Sequence, residues 1–275
     1  MKRMLKIALG SAAAATMLFC SPAQSLADAD LVVYPPRVVL SDGRRSAQVD
    51  MINNSKVKES YKITLVRKRM TDSGNIEDVP TPDPEEKFAE ELVKFSPRQV
   101  TLPPGAAQTI RMMFKLPPHL PEGEYRSHLL FTKIPSGVSA PTESNDPPPG
   151  GVAMKIKARI GISIPVIVRH GKLAVKTEID PSSVRITAVE PRQQVVDFTM
   201  LRTGTRSVYG DVAVYRGADK VAVGNGLALY TPNTRRKIGL RVHDPHMLKP
   251  GEEIRVVFTE RDEKKPAAET TITVP

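Results

Sequence analysis

Residues 155–169 read KIKARIGISIPVIVR. Ile156, Ala158, Ile160, Ile162, Ile164, Val166 and Val168 recur at every second position, the spacing that puts side chains on one face of a β-strand. In the first half the opposite face carries Lys155, Lys157, Arg159, Gly161 and Ser163, so that half has one apolar and one wet face. From Pro165 onward Ile167 joins Val166 and Val168, and both faces become apolar, as in a strand covered on both sides. At ~3.3 Å per residue the run spans roughly 45 Å, well beyond the usual strand of about 5 to 6 residues. Pro165 lacks a backbone N–H and belongs on an edge or at a bulge. A long isoleucine-rich edge is an aggregation hazard unless something covers it or covering something else is its task.

Outward from this run, the pattern is of short β-type stretches separated by turn chemistry. On the N-terminal side these are LVVYPPRVVL with its Pro35-Pro36 interruption, an Asp42-Gly43 turn, SAQVDMI, YKITLVRKRM, and extended structure through residues 92–102. QTIRMMFKL and EYRSHLLFTKI follow. Residues 71–91, rich in Pro, Asp and Glu, read as a polar excursion with at most one helical turn near 87–92. The proline-rich segment at about 136–152 cannot bury enough apolar surface to offset its ordering entropy and is expected to be disordered. On the C-terminal side come LAVKTEI, VRITAVE, QVVDFTML, SVYGDVAVY, KVAVGNGLALY, KIGLRV, EIRVVFTE and TTITVP. Dense short strands without helical periodicity are the mark of a β-sandwich. The expected fold is all-β, two immunoglobulin-like sandwiches: 28–169, with a long strand at about 153–169, and 170–275.

At the N-terminus Lys2, Arg3 and Lys6 precede an apolar run from Ile7 to Phe19, then Ser25, Leu26 and Ala27. That is the pattern of a cleaved export signal over 1–27, and the run is short for a membrane span, which needs about 20 apolar residues. The single cysteine, Cys20, lies inside this segment, so no disulfide is expected in the exported chain. The formal charge is +10. Its basic residues are scattered among acidic neighbours, without tryptophan, and no aromatic-studded basic groove for single-stranded nucleic acid is visible. The five histidines are dispersed. His243 and His246 read as turn residues, since a metal site needs three or four ligands. Glu85, Glu86, Glu90 and Glu91 read as solvated. No phosphate loop, nucleophile elbow or catalytic constellation is present in the sequence, so neither catalysis nor a metal or cofactor is expected.

Three segments resemble the PapD-like periplasmic chaperones of the chaperone-usher pilus pathway. PPRVVLSDG resembles that family's first strand, with Arg37 six residues before Gly43. Residues 95–111, FSPRQVTLPPGAAQTIR, resemble its Pro-Gly-x-x-Gln-x-x-Arg signature through Pro104, Gly105, Gln108 and Arg111. LPEGEYRSHLLFTKIP resembles the next strand with its closing Ile134-Pro135. The resemblance implies two sandwiches at an angle, the last strand of the first lending apolar side chains to a pilin-like subunit that lacks a strand. Ile156, Ala158, Ile160, Ile162 and Ile164 would then be the donated row. It also implies that Arg37 anchors the subunit's C-terminal carboxylate, a task that suits a forked guanidinium. The family's second anchor, a lysine, aligns with Pro165, which leaves Arg37 alone or helped by Arg159 or Lys157. Arg169 is expected to hold the domains together through an ion pair. The implied partners are pilin-like subunits and an outer-membrane usher, in the periplasm, without nucleic acid or stable membrane insertion. A self-capping homodimer would cover the strand when no client is bound. The competing reading is a secreted structural or adhesive immunoglobulin-like protein.

Overall fold

The computed structural model describes residues 30–135, 161–243, 245–261 and 265–274. The expected export signal (1–27), the proline-rich segment and Ile156, Lys157, Ala158, Arg159 and Ile160 lie outside the described residues. The described chain is all-β. In order, its strands are β1 (Leu31–Tyr34), β2 (Val38–Ser41), β3 (Ser46–Asn53), β4 (Glu59–Val66), β5 (Lys68–Met70), β6 (Ile76–Asp78), β7 (Val93–Ser96), β8 (Gln99–Leu102), β9 (Ala107–Phe114), β10 (Gly123–Ile134) and β11 (Gly161–His170). There follow β12 (Val175–Glu190), β13 (Gln193–Gly204), β14 (Val208–Arg216), β15 (Asp219–Leu229), β16 (Arg235–His243), β17 (Glu253–Glu260) and β18 (Lys265–Thr273).

The first sandwich packs the sheet β1-β3-β9-β7 against the sheet β2-β11-β10-β4-β8. Alternation explains its core. Val49 and Met51 of β3, Ile110 and Met112 of β9, Leu129 and Phe131 of β10, and Ile164, Val166 and Val168 of β11 all project between the sheets. The second sandwich packs β12-β13-β16 against β15-β14-β17-β18 around Val196, Phe198, Met200, Val212, Val214, Val256 and Phe258.

Three runs depart from the sequence expectation. The extended run 92–102 is two strands in different sheets, β7 and β8, with the crossing at Ser96-Pro97, where the peptide is cis. LAVKTEI and VRITAVE merge into β12, which pairs with β13 with irregularities between Asp180 and Arg185 and between Ala188 and Glu190. The extra residues are absorbed locally, as bulges do. The polar excursion opens with the turn and the second strand of the hairpin β5-β6, whose first strand precedes it. Its near-helical part is one turn in which the N–H groups of Leu92 and Val93 both donate to the Ala89 carbonyl.

β10 locates the domain junction. Gly123 through Leu129 are all buried, which a strand on the surface of one sandwich would not be. Tyr125, Leu129 and Phe131 face their own core. Glu124, Arg126 and His128, on the other face, meet the second sandwich. A separate apolar cluster of Met70, Ile167, Ala228 and Tyr230, with Val39 and Tyr209 against it, fills the junction. The β5-β6 hairpin reaches across it: Asn233 Nδ2 donates to Met70 O at 2.9 Å, Lys237 N to Asp72 O at 2.7 Å, and Arg235 pairs with Asp72 at 2.9 Å.

Candidate functional site

Among the described residues, β11 is paired along its whole length on only one side. Antiparallel pairing to β10 runs from Gly161↔Thr132 to His170↔Gly123. On the other side parallel pairing to β2 covers Val166↔Val38 to Arg169↔Ser41. Among the described residues no strand pairs with the outer side of Gly161–Pro165, so a row of backbone hydrogen-bonding positions lies open. The cause is in the sequence: Pro35-Pro36 interrupts the first extended run, sending its first part into the other sheet as β1 and leaving only the short β2 beside β11. Ile162 is half-buried against the domain's own core and Ile164 is buried in it at 4 % exposure. These two side chains of the expected donor row are therefore engaged at home.

Arg37 lies one residue before β2, and continuing the parallel register by one step sets it beside Pro165. A strand added to the open edge of β11, in line with β2, would run its end onto Arg37. The Arg37 guanidinium stands 4.8 Å from the centroid of the Tyr209 ring, and Arg261, from the second sandwich, stands 5.1 Å from the same ring. Both distances suit cation–π attraction. Arg261 is held by Asp211, with Nη2 donating to Oδ1 at 2.7 Å and Nε to Oδ2 at 3.0 Å, and its Nη1 donates to the Tyr209 hydroxyl at 3.2 Å. That grip, more than the Gly226 N–H that also reaches Asp211, holds the Asp211 carboxyl below the usual carboxylate range. Arg37, Arg44, Arg261, Tyr209 and Gln48 line a cavity of about 530 Å³.

Arg44 and Arg261 escaped sequence reasoning. Arg261 follows the last core strand but one of the second sandwich, and nothing local marks it as facing Arg37. Arg44 carries a weak signal, a basic residue directly after the Asp42-Gly43 turn. Arg169 donates through Nε to Glu124 Oε2 at 3.0 Å, with the Glu124 side chain fully buried. Glu124 belongs to β10, so the ion pair lies within the first sandwich. The link to the second sandwich runs through Ser207: its N–H donates to Glu124 Oε2 at 3.1 Å and its carbonyl accepts from Arg169 Nη2 at 3.2 Å. One step on, Asp42 accepts from Gly171 N–H at 3.0 Å and meets His170 Nδ1 at 2.8 Å. The Gly171 N–H first, then His170, holds the Asp42 carboxyl below its ordinary range.

Among the described residues no group of three or more His, Cys, Asp or Glu side chains is placed to hold a metal ion. His246 N–H donates to His243 O at 2.8 Å in a turn. What fold and site define together is a two-sandwich β-protein with a half-open strand edge leading to a cationic cleft.

No family model matches the chain, and no curated protein matches it in sequence. Among solved structures, many that are similar to it are periplasmic chaperones of chaperone-usher pili. One is a YadV chaperone, 12 % identical over 90 % of this chain and 100 % of that one, with a TM-score of 0.45. Another is a CsuC–CsuE chaperone–tip subunit pre-assembly complex of Acinetobacter baumannii, at 12 % identity, the same two coverages and a TM-score of 0.46. A third is a Salmonella enterica SafA pilin in complex with the SafB chaperone, at 11 % identity over 94 % and 99 %, with a TM-score of 0.41.

Proposed function

We propose that this protein is a periplasmic chaperone that holds pilin-like subunits by strand donation and delivers them to an outer-membrane usher. The observation that carries the reading is that, among the described residues, Gly161–Pro165 is paired on one side, immediately beside Arg37. An incomplete subunit takes backbone hydrogen bonds from the open edge, which gives sequence-tolerant affinity, while a row of apolar side chains fills its groove. Ile156, Ala158 and Ile160, which precede the described part of β11 in the same alternation, supply that row, with Ile162 at its boundary. Each isoleucine fully buried in the guest contributes about 1.5 to 3 kcal/mol. Ile164 serves the chaperone's own core.

The subunit's C-terminal carboxylate reaches Arg37, with Arg261 or Arg44 rather than a residue of β11 as the second cation. Pro165 stands where a β11 side chain would have to help. A bidentate guanidinium–carboxylate pair fixes the register of the guest strand as well as adding affinity.

The test uses two synthetic strand peptides of alternating apolar residues, identical except that one ends in a free carboxylate and the other in an amide. The wild-type protein is expected to bind the acid form about tenfold or more tightly, the worth of a charge-assisted hydrogen bond, and Arg37→Ala to erase the difference. Ile156→Asp with Ile160→Asp should abolish binding of both peptides while leaving the unfolding transition in place. Binding that survives this double change would overturn strand donation. Wild-type protein that binds neither peptide would favour the structural or adhesive reading.

A further inference from the structure

The second sandwich has an open edge of its own. β16 pairs with β13 in unbroken register from Arg235↔Leu201 to His243↔Gln193, and β15 pairs with β14. Among the described residues neither strand has a partner on its other side. The two unpaired sides border a groove of about 570 Å³, lined by Lys220 and Val223 of β15 and by Gly239, Leu240 and Arg241 of β16. Two hydrogen bonds tell which backbone groups of β16 point into it. Arg202 N–H donates to Thr234 O at 2.7 Å, on the β13 side, whereas Lys237 N–H turns the other way and donates to Asp72 O at 2.7 Å. Residues of an antiparallel pair alternate between bonding the partner strand and pointing away from it. Gly239 and Arg241, two and four residues after Lys237, therefore direct their N–H and C=O groups into the groove. Asp72 lies in the turn of the β5-β6 hairpin, so the first sandwich already adds backbone to this edge at Lys237, and the groove continues the same edge beyond it.

Alternation sorts the side chains along this edge. Ile238, Leu240 and Val242 belong to the core, while Lys237, Gly239 and Arg241 lie on the exposed outer face. Across the groove Val223 is 51 % exposed. Lys220 sits 5.8 Å from the centroid of the Tyr215 ring. Lys220, Lys237 and Arg241 are exposed, and none of them has an ion pair among the described residues. Two acids share the surface, and each has a basic cross-strand neighbour: Asp197 is opposite Arg185, and Asp219 is opposite Arg216. The surplus along the edge is thus positive. A second copy of the chain does not suit it, because β16 laid antiparallel on itself about Gly239 sets Lys237 against Arg241, and like charges directly opposite one another destabilise a strand pair. An acidic strand meets the same row with attraction.

We propose that the groove between β15 and β16 accepts an extended acidic protein segment, added as a strand to the free edge of β16. Gly239 and Arg241 supply its backbone hydrogen bonds, as in other strand additions to a sheet edge. Carboxylates on the outer face of the segment stand beside Lys237 and Arg241, and small apolar residues on its inner face lie toward Val223. The edge is in the other sandwich from β11, and the inference does not rest on strand donation.

The test is amide hydrogen exchange of the whole chain, read residue by residue by NMR. Without a ligand, the Ile238 and Leu240 amides, bonded to β13, should exchange slowly, and those of Gly239 and Arg241 fast. The probe is a synthetic peptide of alternating glutamate and valine, capped at both ends so that no terminal carboxylate is present to engage Arg37. At saturation it should slow exchange at Gly239 and Arg241 about tenfold or more, while a capped peptide of alternating lysine and valine leaves both amides fast. Lys237→Glu with Arg241→Glu changes two exposed side chains, so the urea midpoint should stay near that of wild type, and the preference should reverse in favour of the lysine peptide. Four results would overturn the site: slow Gly239 and Arg241 amides in the free chain at low concentration, equal protection by the two peptides, protection at Gly161–Ser163 in place of β16, or a charge-reversed variant that keeps the wild-type preference. Protection that grows with protein concentration in the absence of peptide would also overturn it, by showing that a second copy covers the edge. Each of these leaves the comparison of acid and amide peptides at Arg37 standing, because that comparison reads a free terminal carboxylate.

Discussion

The two halves of β11 share one alternation and live in different surroundings. From Val166 to Arg169 the strand has β10 on one side and β2 on the other, its even residues in the first core and Ile167 in the junction cluster. From Gly161 to Pro165 it has, among the described residues, β10 alone. The core-facing alternation is common to both halves, while the opposite face changes from Gly161 and Ser163 to Ile167; where β2 begins, after Pro35-Pro36, matches that change. A strand can thus be paired on both sides at one end and on one side at the other, among the described residues, while its core-facing alternation runs on unbroken.

The same substitution placed in each half should separate them most sharply. Val168→Asp puts a carboxylate where exposure is 0 %, and the expected loss is more than about 4 kcal/mol, seen as the absence of a cooperative urea transition. Ile162→Asp, at a half-buried site, should cost only about 1 kcal/mol, roughly half the worth of a fully buried side chain. Equal losses would mean that the two halves are equally covered.

At the closed end, Arg169→Ala strips the fully buried Glu124 carboxylate of its cation and leaves it the Ser207 N–H. Removing one partner of a buried pair costs about 3 kcal/mol or more, to be read as a shift of the urea midpoint at unchanged slope. A loss confined to the slope would instead indicate that the sandwiches had come apart.

The boundary between the halves carries the smallest effect. His128 is the cross-strand neighbour of Pro165, and its folded pKa of about 3 lies below the ordinary value of 6.5. Between those values the unfolded chain binds a proton that the folded chain refuses, so stability falls as the pH drops from about 6.5 toward 3. The slope from this one group approaches about 1.4 kcal/mol per pH unit. In chloride buffer, His128→Gln should flatten the pH dependence between pH 6.5 and 4.5 by that amount, and an unchanged slope would place the imidazole in contact with water.

Alternation is the part of this architecture that sequence displays well, because burial in a sandwich repeats every two residues wherever one sheet faces another. Ile162, Ile164, Val166 and Val168 could be assigned to one face from spacing alone, as could the core positions of β3 and β9. Sheet changes were less visible: Pro35-Pro36 signals one, whereas the switch between β7 and β8 at Pro97 sits in a run that otherwise reads as continuous. Arg37 could be singled out from the sequence, whereas Tyr209 and Arg261 opposite it could not. Glu124, Arg126 and His128 look like the wet face of an edge hairpin, and only the arrival of a second sandwich, with Tyr230 and Arg236, makes them interior. Contacts set by domain packing leave no periodic trace in either partner.

The ring between Arg37 and Arg261 has a use at the bench. With no tryptophan in the chain and six tyrosines, near-ultraviolet emission comes from tyrosine, and Tyr209 has two guanidiniums set against its ring. A carboxylate that draws Arg37 toward itself changes the field across that ring, and Tyr209→Phe isolates its share of the signal. The cleft therefore carries its own unlabelled optical probe, placed where a guest strand would end.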